Sequence, residues 1–430
     1  MSGFILRNGV LVSAGENPRT GELGVSGEKI VLKDLAVGGV CIDLKENSFV
    51  YPSIINTHDH LQGNYTPAVG PEEGTFYLTW QPWDSDLKSS ETFSERSNMS
   101  REELYLLSSY KCIFSGVTTV NDHFPHAINS EILPTLPIRA ILEYGVAHEA
   151  TSYDLKWGDG VIPEHQKAVK NNWPFITHLS EGFDEEAMHS VETLEQLGVL
   201  DNHCLFIHCI AFSDEDIKKA ARAGASISLC PSSNMRMFNV TAKIRKMMDA
   251  GLNLTLGTDS SASGSANILK EIRILRRVYQ NMYGEDLSPK LIFEMVTINA
   301  AKAFWMQDRI GSLEKGKLGD ILVLKAHKDD PYENFASASM EDIELLTLAG
   351  KPIYGESRFL GIFGDTLNAE GLPDGYTKVT VGDRPMFVIG DPAALYMEIR
   401  RRTGYKKVLD FLPFEPAGAL TGGKSGKESA

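Results

Sequence analysis

Between residues 48 and 310 short apolar runs alternate with longer helical patterns. That alternation restricts the fold more than any other feature of the chain. The runs SFVYPSII, GVTTVND, IRAILEYG, PFITHL, CLFIHCI, ASISLCP and LNLTLGTD suit buried strands. The stretches REELYLLSSYKCIFSG, DEDIKKAARAG, AKIRKMMDAG and NILKEIRILRRVYQNM, lying between several of them, have helical periodicity. Ser213 stands three residues before Asp216, a capping-box spacing, and Gly224 and Gly251 fall where helix C-caps are expected. Strand and helix alternating in this way predict parallel βα units, either an open doubly wound sheet or a barrel.

The two ends of the chain read differently. FILRNGVLV and EKIVLKD near the start, and IGSLEKGKLGDILVLKAHK and IELLTLAGKPIYG after residue 310, are short β-like stretches broken by Gly and Asn. Residues 1–50 and 310–360 are therefore expected to form one small β-sandwich around a barrel of residues 51–309. Residues 361–430 read as an extension, with a disordered tail at GALTGGKSGKESA. A chain of 430 residues has room for a barrel-sized domain and a smaller partner.

A net charge of −15 argues against a nucleic-acid or anionic-membrane surface, and no apolar run reaches membrane-span length. Cys41, Cys112, Cys204, Cys209 and Cys230 are odd in number and form no CxxC pair. They read as reduced thiols of a cytoplasmic protein. MSGFILRNGVLVS shows no signal-peptide pattern.

The chemistry gathers at strand ends. In SIINTHDHLQG, His58 and His60 are two apart, so a strand points both the same way. Two such imidazoles make half a transition-metal site, although surface histidines would explain HxH equally well. Other strand ends settle the matter: PFITHLSEG ends in His178 with Glu181 three residues on, CLFIHC ends in His208, and LNLTLGTD ends in Asp259. The C-terminal strand ends are where barrel enzymes place their sites.

HxH on the first strand, HxxE on the fifth, His on the sixth and Asp on the eighth resemble the amidohydrolase superfamily. CPSSN at 230–234, LGTD at 256–259 and NAAKAFWMQDRIGSLEKGKLGDILVL at 299–324 extend the likeness. It is to the mononuclear branch that holds cytosine, guanine, adenosylhomocysteine and methylthioadenosine deaminases and the triazine hydrolases. The resemblance implies a (β/α)8-type barrel and one divalent metal ion per chain, zinc or iron, held by His58, His60, His178 and Asp259. It implies that Glu181 moves protons between a metal-activated hydroxide and the substrate, that His208 hydrogen-bonds the hydroxide or developing charge, and that Asp259 also accepts a proton. The expected activity is hydrolytic deamination of a purine, pterin, pyrimidine or triazine type of small molecule. Hydrolysis of a cyclic amide, an amidine or an aryl halide is the alternative, with an inactive metal-binding homologue behind it. Asp59, between the two histidines, faces away from the metal. No lysine stands at a strand end between residues 120 and 178 to carry a bridging carbamate, which argues against a two-metal site.

Two departures from the family pattern stand out. Leu229 occupies a place where related deaminases often have histidine. Too few residues separate IRAILEYGVAHEA from PFITHL for a strand, helix, strand and helix, so the barrel is expected to be irregular between its third and fifth strands. TSYDLKWGDGV should cross the gap as loop or one short strand, with a helix from about Pro163 to Asn171. The insertion NYTPAVGPEEGTFYLTWQPWDSDLKSS (64–90), the least helical in the barrel, should plug the pocket on that side, and residues 361–430 should reach a neighbouring subunit. Trp80, Trp83, His123 and Asn234 are the expected substrate contacts, and the aromatics of residues 76–83 point to a homodimer or larger assembly.

Overall fold

The computed structural model describes residues 3–31, 39–364 and 366–414. The tail GALTGGKSGKESA and the end of EKIVLKD lie outside the described residues.

Both chain ends contribute to one sheet. Its strand order is Tyr376–Val381, Arg384–Ile389, Lys351–Glu356, Ile343–Leu348, Ile321–Lys325, Ser48–Pro52, Phe4–Leu11, Arg19–Ser26 and Lys29–Val31, with Val40–Asp43 also pairing on Phe4–Leu11. Pairing runs continuously through these ten strands. The extension is therefore not external, because Tyr376–Val381 and Arg384–Ile389 add two strands to the sheet. The helix Pro392–Thr403 that follows packs on the same chain. Arg402 makes a two-pronged ion pair with Glu103 at 2.7 and 2.8 Å, and Lys407 bonds Glu95 at 3.0 Å.

SFVYPSII is two strands rather than one. Ser48–Pro52 belongs to the outer sheet, and Ile54–Asp59 opens the inner layer. The chain changes sheets at Ser53, whose N–H donates to the Asp320 carbonyl at 3.0 Å, while the Ile54 N–H donates to that of Gly116 at 3.0 Å.

The inner layer has eight short strands: β1 (Ile54–Asp59), β2 (Val117–Asp122), β3 (Arg139–Ala140), β4 (Gly145–Glu149), β5 (Phe175–Leu179), β6 (Cys204–His208), β7 (Ser226–Leu229) and β8 (Asn253–Leu256). β1–β2–β3 form one parallel sheet and β4–β5–β6–β7–β8 another. Among the described residues no ladder joins β3 to β4 or β8 to β1. At the second of these edges the Asp259 N–H donates to the His58 carbonyl at 3.0 Å. Gly257 is essential to that approach, since a Cβ there would lie 2.9 Å from His58 N and 2.6 Å from His58 Cβ.

The irregularity falls between β3 and β4. Returning a chain to the start of a parallel neighbour takes a dozen or more residues. Only Ile141–Tyr144 lie between β3 and β4, so residues 139–149 run on as one interrupted segment. Its first part pairs with β2 and its last part with β5. The missing piece is thus a helix and a return, and IRAILEYG is split between two strands. TSYDLKWGDG is loop, and a helix follows at Val161–Asn171.

Elsewhere the local chemistry acts as the sequence suggests. Ser213 and Asp216 form a reciprocal capping box, and Gly224 closes that helix in the left-handed conformation. The insertion is more regular than its sequence reads: Trp80–Ser89 is helical, with Pro82 in the first turn where no partner for an N–H is lost.

Candidate active site

β1, β5, β6 and the turn after β8 bring His58, His60, His178, Glu181, His208 and Asp259 together. One ligand atom from each of His58, His60 and His178 lies within 4.8 Å of the others, and the same holds for His58, His208 and Asp259. The Nε2 atoms of His58 and His60 are 3.9 and 3.8 Å from Asp259 Oδ1. Tetrahedral ligation by nitrogen and oxygen at about 2.0–2.1 Å places ligand atoms roughly 3.4 Å apart, close to this spacing.

His58 and His178 are prepared as neutral ligands. His178 Nδ1 sits 2.8 Å from the His148 carbonyl. A carbonyl can only accept, so Nδ1 carries the proton and Nε2 presents its lone pair. Burial, followed by the neighbouring histidines, drives the His58 and His178 pKa values well below the ordinary range. His58 is fully buried, yet neither ring nitrogen has a hydrogen-bond partner. Buried polar atoms are rarely left so, and an ion bound by the imidazole would satisfy the vacant lone pair. The donor set therefore fits a divalent transition metal.

Asp259 is held on all sides. Burial alone would raise its pKa, but His60, His208 and hydrogen bonds outweigh this and keep it below the usual carboxylate value. The Ser260 N–H donates to Oδ1 at 2.6 Å and Ser233 Oγ to Oδ2 at 2.8 Å. Glu181 behaves oppositely. Burial, with Asp259 and Glu149 nearby, pushes its carboxyl well above the normal range, toward the neutral, proton-donating form. It faces His208, whose Nε2 is 3.5 Å from Glu181 Oε1.

The cavity above these groups measures about 320 Å3. Trp80, Trp83, Phe93, Phe124 and Trp157 give it aromatic walls, and Arg96 and the Asp84–Lys88 pair stand among them. The insertion is tied down over Glu181, with the Phe183 N–H donating to the Leu78 carbonyl at 2.9 Å and that of Tyr77 to Met237 at 2.9 Å. Trp80 Nε1 donates to Glu149 at 3.0 Å.

Trp80 and Trp83 line the cavity. His123 and Asn234 do not. His123 is fully buried behind the site, its Nε2 donating to the Ala147 carbonyl at 3.0 Å across the gap left by the missing unit. Asn234 accepts from His208 Nδ1 at 2.8 Å, which makes it a support for His208 instead of a wall of the pocket. The plug between the third and fifth strands comes from two sources: Trp80 from the insertion, and Trp157 from TSYDLKWGDGV itself. The Trp80 and Trp157 rings lie 4.7 and 4.6 Å from that of His148. Trp157, Phe93 and Asp122 also line the cavity, and the sequence does not single them out. Asp122 carried a signal, since it ends β2 as His60 follows β1. The others lie on loops or helices and carried none.

Residues 166–353 match the Amidohydrolase family. An adenosine deaminase from Xanthomonas campestris with bound zinc superposes with a TM-score of 0.71, at 17% identity, over 93% of this chain and 98% of that one. The chain shares the fold of that adenosine deaminase. An atrazine chlorohydrolase from Arthrobacter aurescens complexed with zinc superposes with a TM-score of 0.67, at 19% identity, over 81% of this chain and 95% of that one. In sequence, 5-methylthioadenosine/S-adenosylhomocysteine deaminase 2 of Archaeoglobus fulgidus is 26% identical over 369 residues, 75% of this chain and 85% of that protein. The resemblance read from strand ends is thus matched by family, relatives and fold.

Proposed function

We propose that this chain is a metal-dependent hydrolase that removes the amino group of an amino-substituted heterocycle as ammonia. The observation that carries the reading is a buried Glu181, 3.5 Å from His208, beside a convergent set of three imidazoles and Asp259. His58, His60, His178 and Asp259 would hold one divalent ion, and zinc is favoured because it is the ion named with the adenosine deaminase and the atrazine chlorohydrolase. Such an ion supplies Lewis acidity and lowers the pKa of water in its coordination sphere toward neutrality. The remaining work belongs to the chain. Glu181 gives its carboxyl proton to a ring nitrogen and recovers one from the attacking water. His208, fixed by Asn234, turns Nε2 toward the same point and orients the nucleophile. Asp259 accepts the hydroxyl proton of the tetrahedral adduct and passes it to the departing amino group, which leaves as ammonia. Trp80 and Trp83 stack on a flat ring, and the apolar walls exclude bulk water.

Expulsion of halide instead of amine is a second reading, favoured by the fold shared with the atrazine chlorohydrolase. Metal analysis with an ammonia-release screen over amino-purines, pterins, pyrimidines and triazines tests the proposal. Product masses separate amine loss from halide loss. Absence of ammonia from every class, with zinc bound, would overturn deamination.

Two further parts of the reading concern architecture. The two inner sheets are taken as halves of one barrel, with the ten-stranded sheet as the smaller domain. The insertion exposes Phe76 at 54% and Leu78 at 59%, which favours a homodimer that covers them. A sedimentation mass of one chain at micromolar concentration would count against the dimer.

A further inference from the structure

Lys111 sits in the last turn of the helix Arg101–Ile113 and is only 1% exposed. Its ammonium meets Asp59 Oδ2 at 2.9 Å, Asn64 Oδ1 at 2.7 Å, Thr258 Oγ1 at 3.2 Å and the Asp259 carbonyl oxygen at 3.1 Å. Three ammonium protons are shared among four acceptors, so no donor is left over. The acceptors come from three stretches of chain: the HDH strand, the turn that begins the insertion, and the turn that carries Asp259. Asp59 closes the network by accepting from Thr258 Oγ1 at 3.0 Å and Asn64 Nδ2 at 3.0 Å.

The Asp259 backbone has φ +54°, a left-handed conformation that non-glycine residues adopt at a cost. It persists only where surrounding bonds hold it. Its N–H is taken by His58 and its carbonyl by Lys111, so the two strand ends bearing three of the four ligands are joined through this turn. A buried Lys–Asp pair is a poor way to gain stability alone, because desolvation offsets most of the attraction. It does fix geometry.

We propose that Lys111 is a positioning residue for the metal site, locking the β1 and β8 ends in ligating register through Asp59 and the Asp259 carbonyl. The proposal rests on the metal-binding reading above. Residues that support a metal ligand from behind typically change affinity by about 10–100-fold when removed, and Lys111 is assigned an effect of that size.

The test uses the full chain stripped of metal, titrated with zinc against a chromogenic chelator, with thermal melts of the apoproteins alongside. The variants are Lys111→Met and the charge-balanced double Asp59→Asn/Lys111→Met, which removes the buried charges together. If Lys111→Met alone fails to fold, the double variant decides. The expected result is a double variant with near-wild-type apo stability that binds zinc about 10–100-fold more weakly. Wild-type affinity in any folded variant lacking Lys111 would overturn the proposal. So would a double variant that recovers stability and affinity together, since Lys111 would then be only a charge partner. Failure of the wild type to take up zinc would instead remove the metal reading, and this proposal with it.

Discussion

Two junctions interrupt the inner strand layer, and they are filled by opposite chemistry. Between β8 and β1 the groups are polar and buried: Lys111, Asp59, Asn64, Thr258 and the Asp259 backbone bond one another with little left unpaired. Between β3 and β4 the filling is aromatic, with Trp157 packed against His148, His123 and Phe124 at centroid distances of 4.6, 5.2 and 5.3 Å. The first junction carries three metal-capable side chains whose positions must be set finely, and hydrogen bonds are directional. The second carries none of the four expected ligands, and its aromatic side chains mainly supply volume that keeps water out of the cavity. Aromatic packing supplies volume with looser demands on angle.

The comparison breaks most visibly at the proton-transfer group beside the polar junction. Glu181→Gln should retain zinc and lose roughly 10²- to 10⁴-fold in turnover, read as ammonia release per metal-loaded chain. Retained turnover would take Glu181 out of the chemistry.

Next in size is the buried pair itself. Asp59→Ala leaves the Lys111 ammonium without its carboxylate and should destabilise the apoprotein by about 3–5 kcal/mol, measured by urea unfolding. A loss near zero would mean that water reaches the pair and that the junction is not closed.

The aromatic junction should behave differently. Trp157→Ala is expected to cost about 1–3 kcal/mol, since the ring is only partly buried, and to weaken substrate binding without changing zinc affinity. A change in zinc affinity as large as that of a Lys111 variant would mean that both junctions position the metal ligands.

The smallest effect concerns pH. Burial raises the Glu149 carboxyl, at the end of β4, to about 7. Its folded pKa exceeds the unfolded value of about 4.3, so its contribution to stability is fully present below that value. The contribution fades as pH rises toward 7. Glu149→Gln should flatten the stability profile over that window, as followed by thermal melts at stepped pH. An unchanged slope would place Glu149 in contact with solvent.

These two regions also differ in how far the sequence reveals them. HDH, HxxE, the His208 strand end and GTD are readable because chemistry repeats at strand termini, where periodicity alone fixes which way a side chain points. Lys111 is not readable in this way: in REELYLLSSYKCIFSG a lysine near a helix end normally belongs to solvent. Only partners 52 and 148 residues away in sequence make its burial tolerable. The shortfall of residues before β5 is visible, but IRAILEYG shows no sign that its halves pair with different sheets. Pro52 ends the outer strand, yet nothing local separates SFVYP from SII. His123 and Asn234 illustrate the remaining limit. Both follow strand ends, as site residues do, but the depth to which neighbours bury them depends on packing across the whole layer.

The central claim is that His58, His60, His178 and Asp259 hold a single divalent ion at the polar junction. Elemental analysis of the zinc-reconstituted chain, run beside His178→Ala and Asp259→Asn, tests it most directly. The account expects one equivalent of zinc per wild-type chain and its loss from both variants after dialysis against a weak chelator. Two equivalents in the wild type, or a full equivalent retained by either variant, would contradict it.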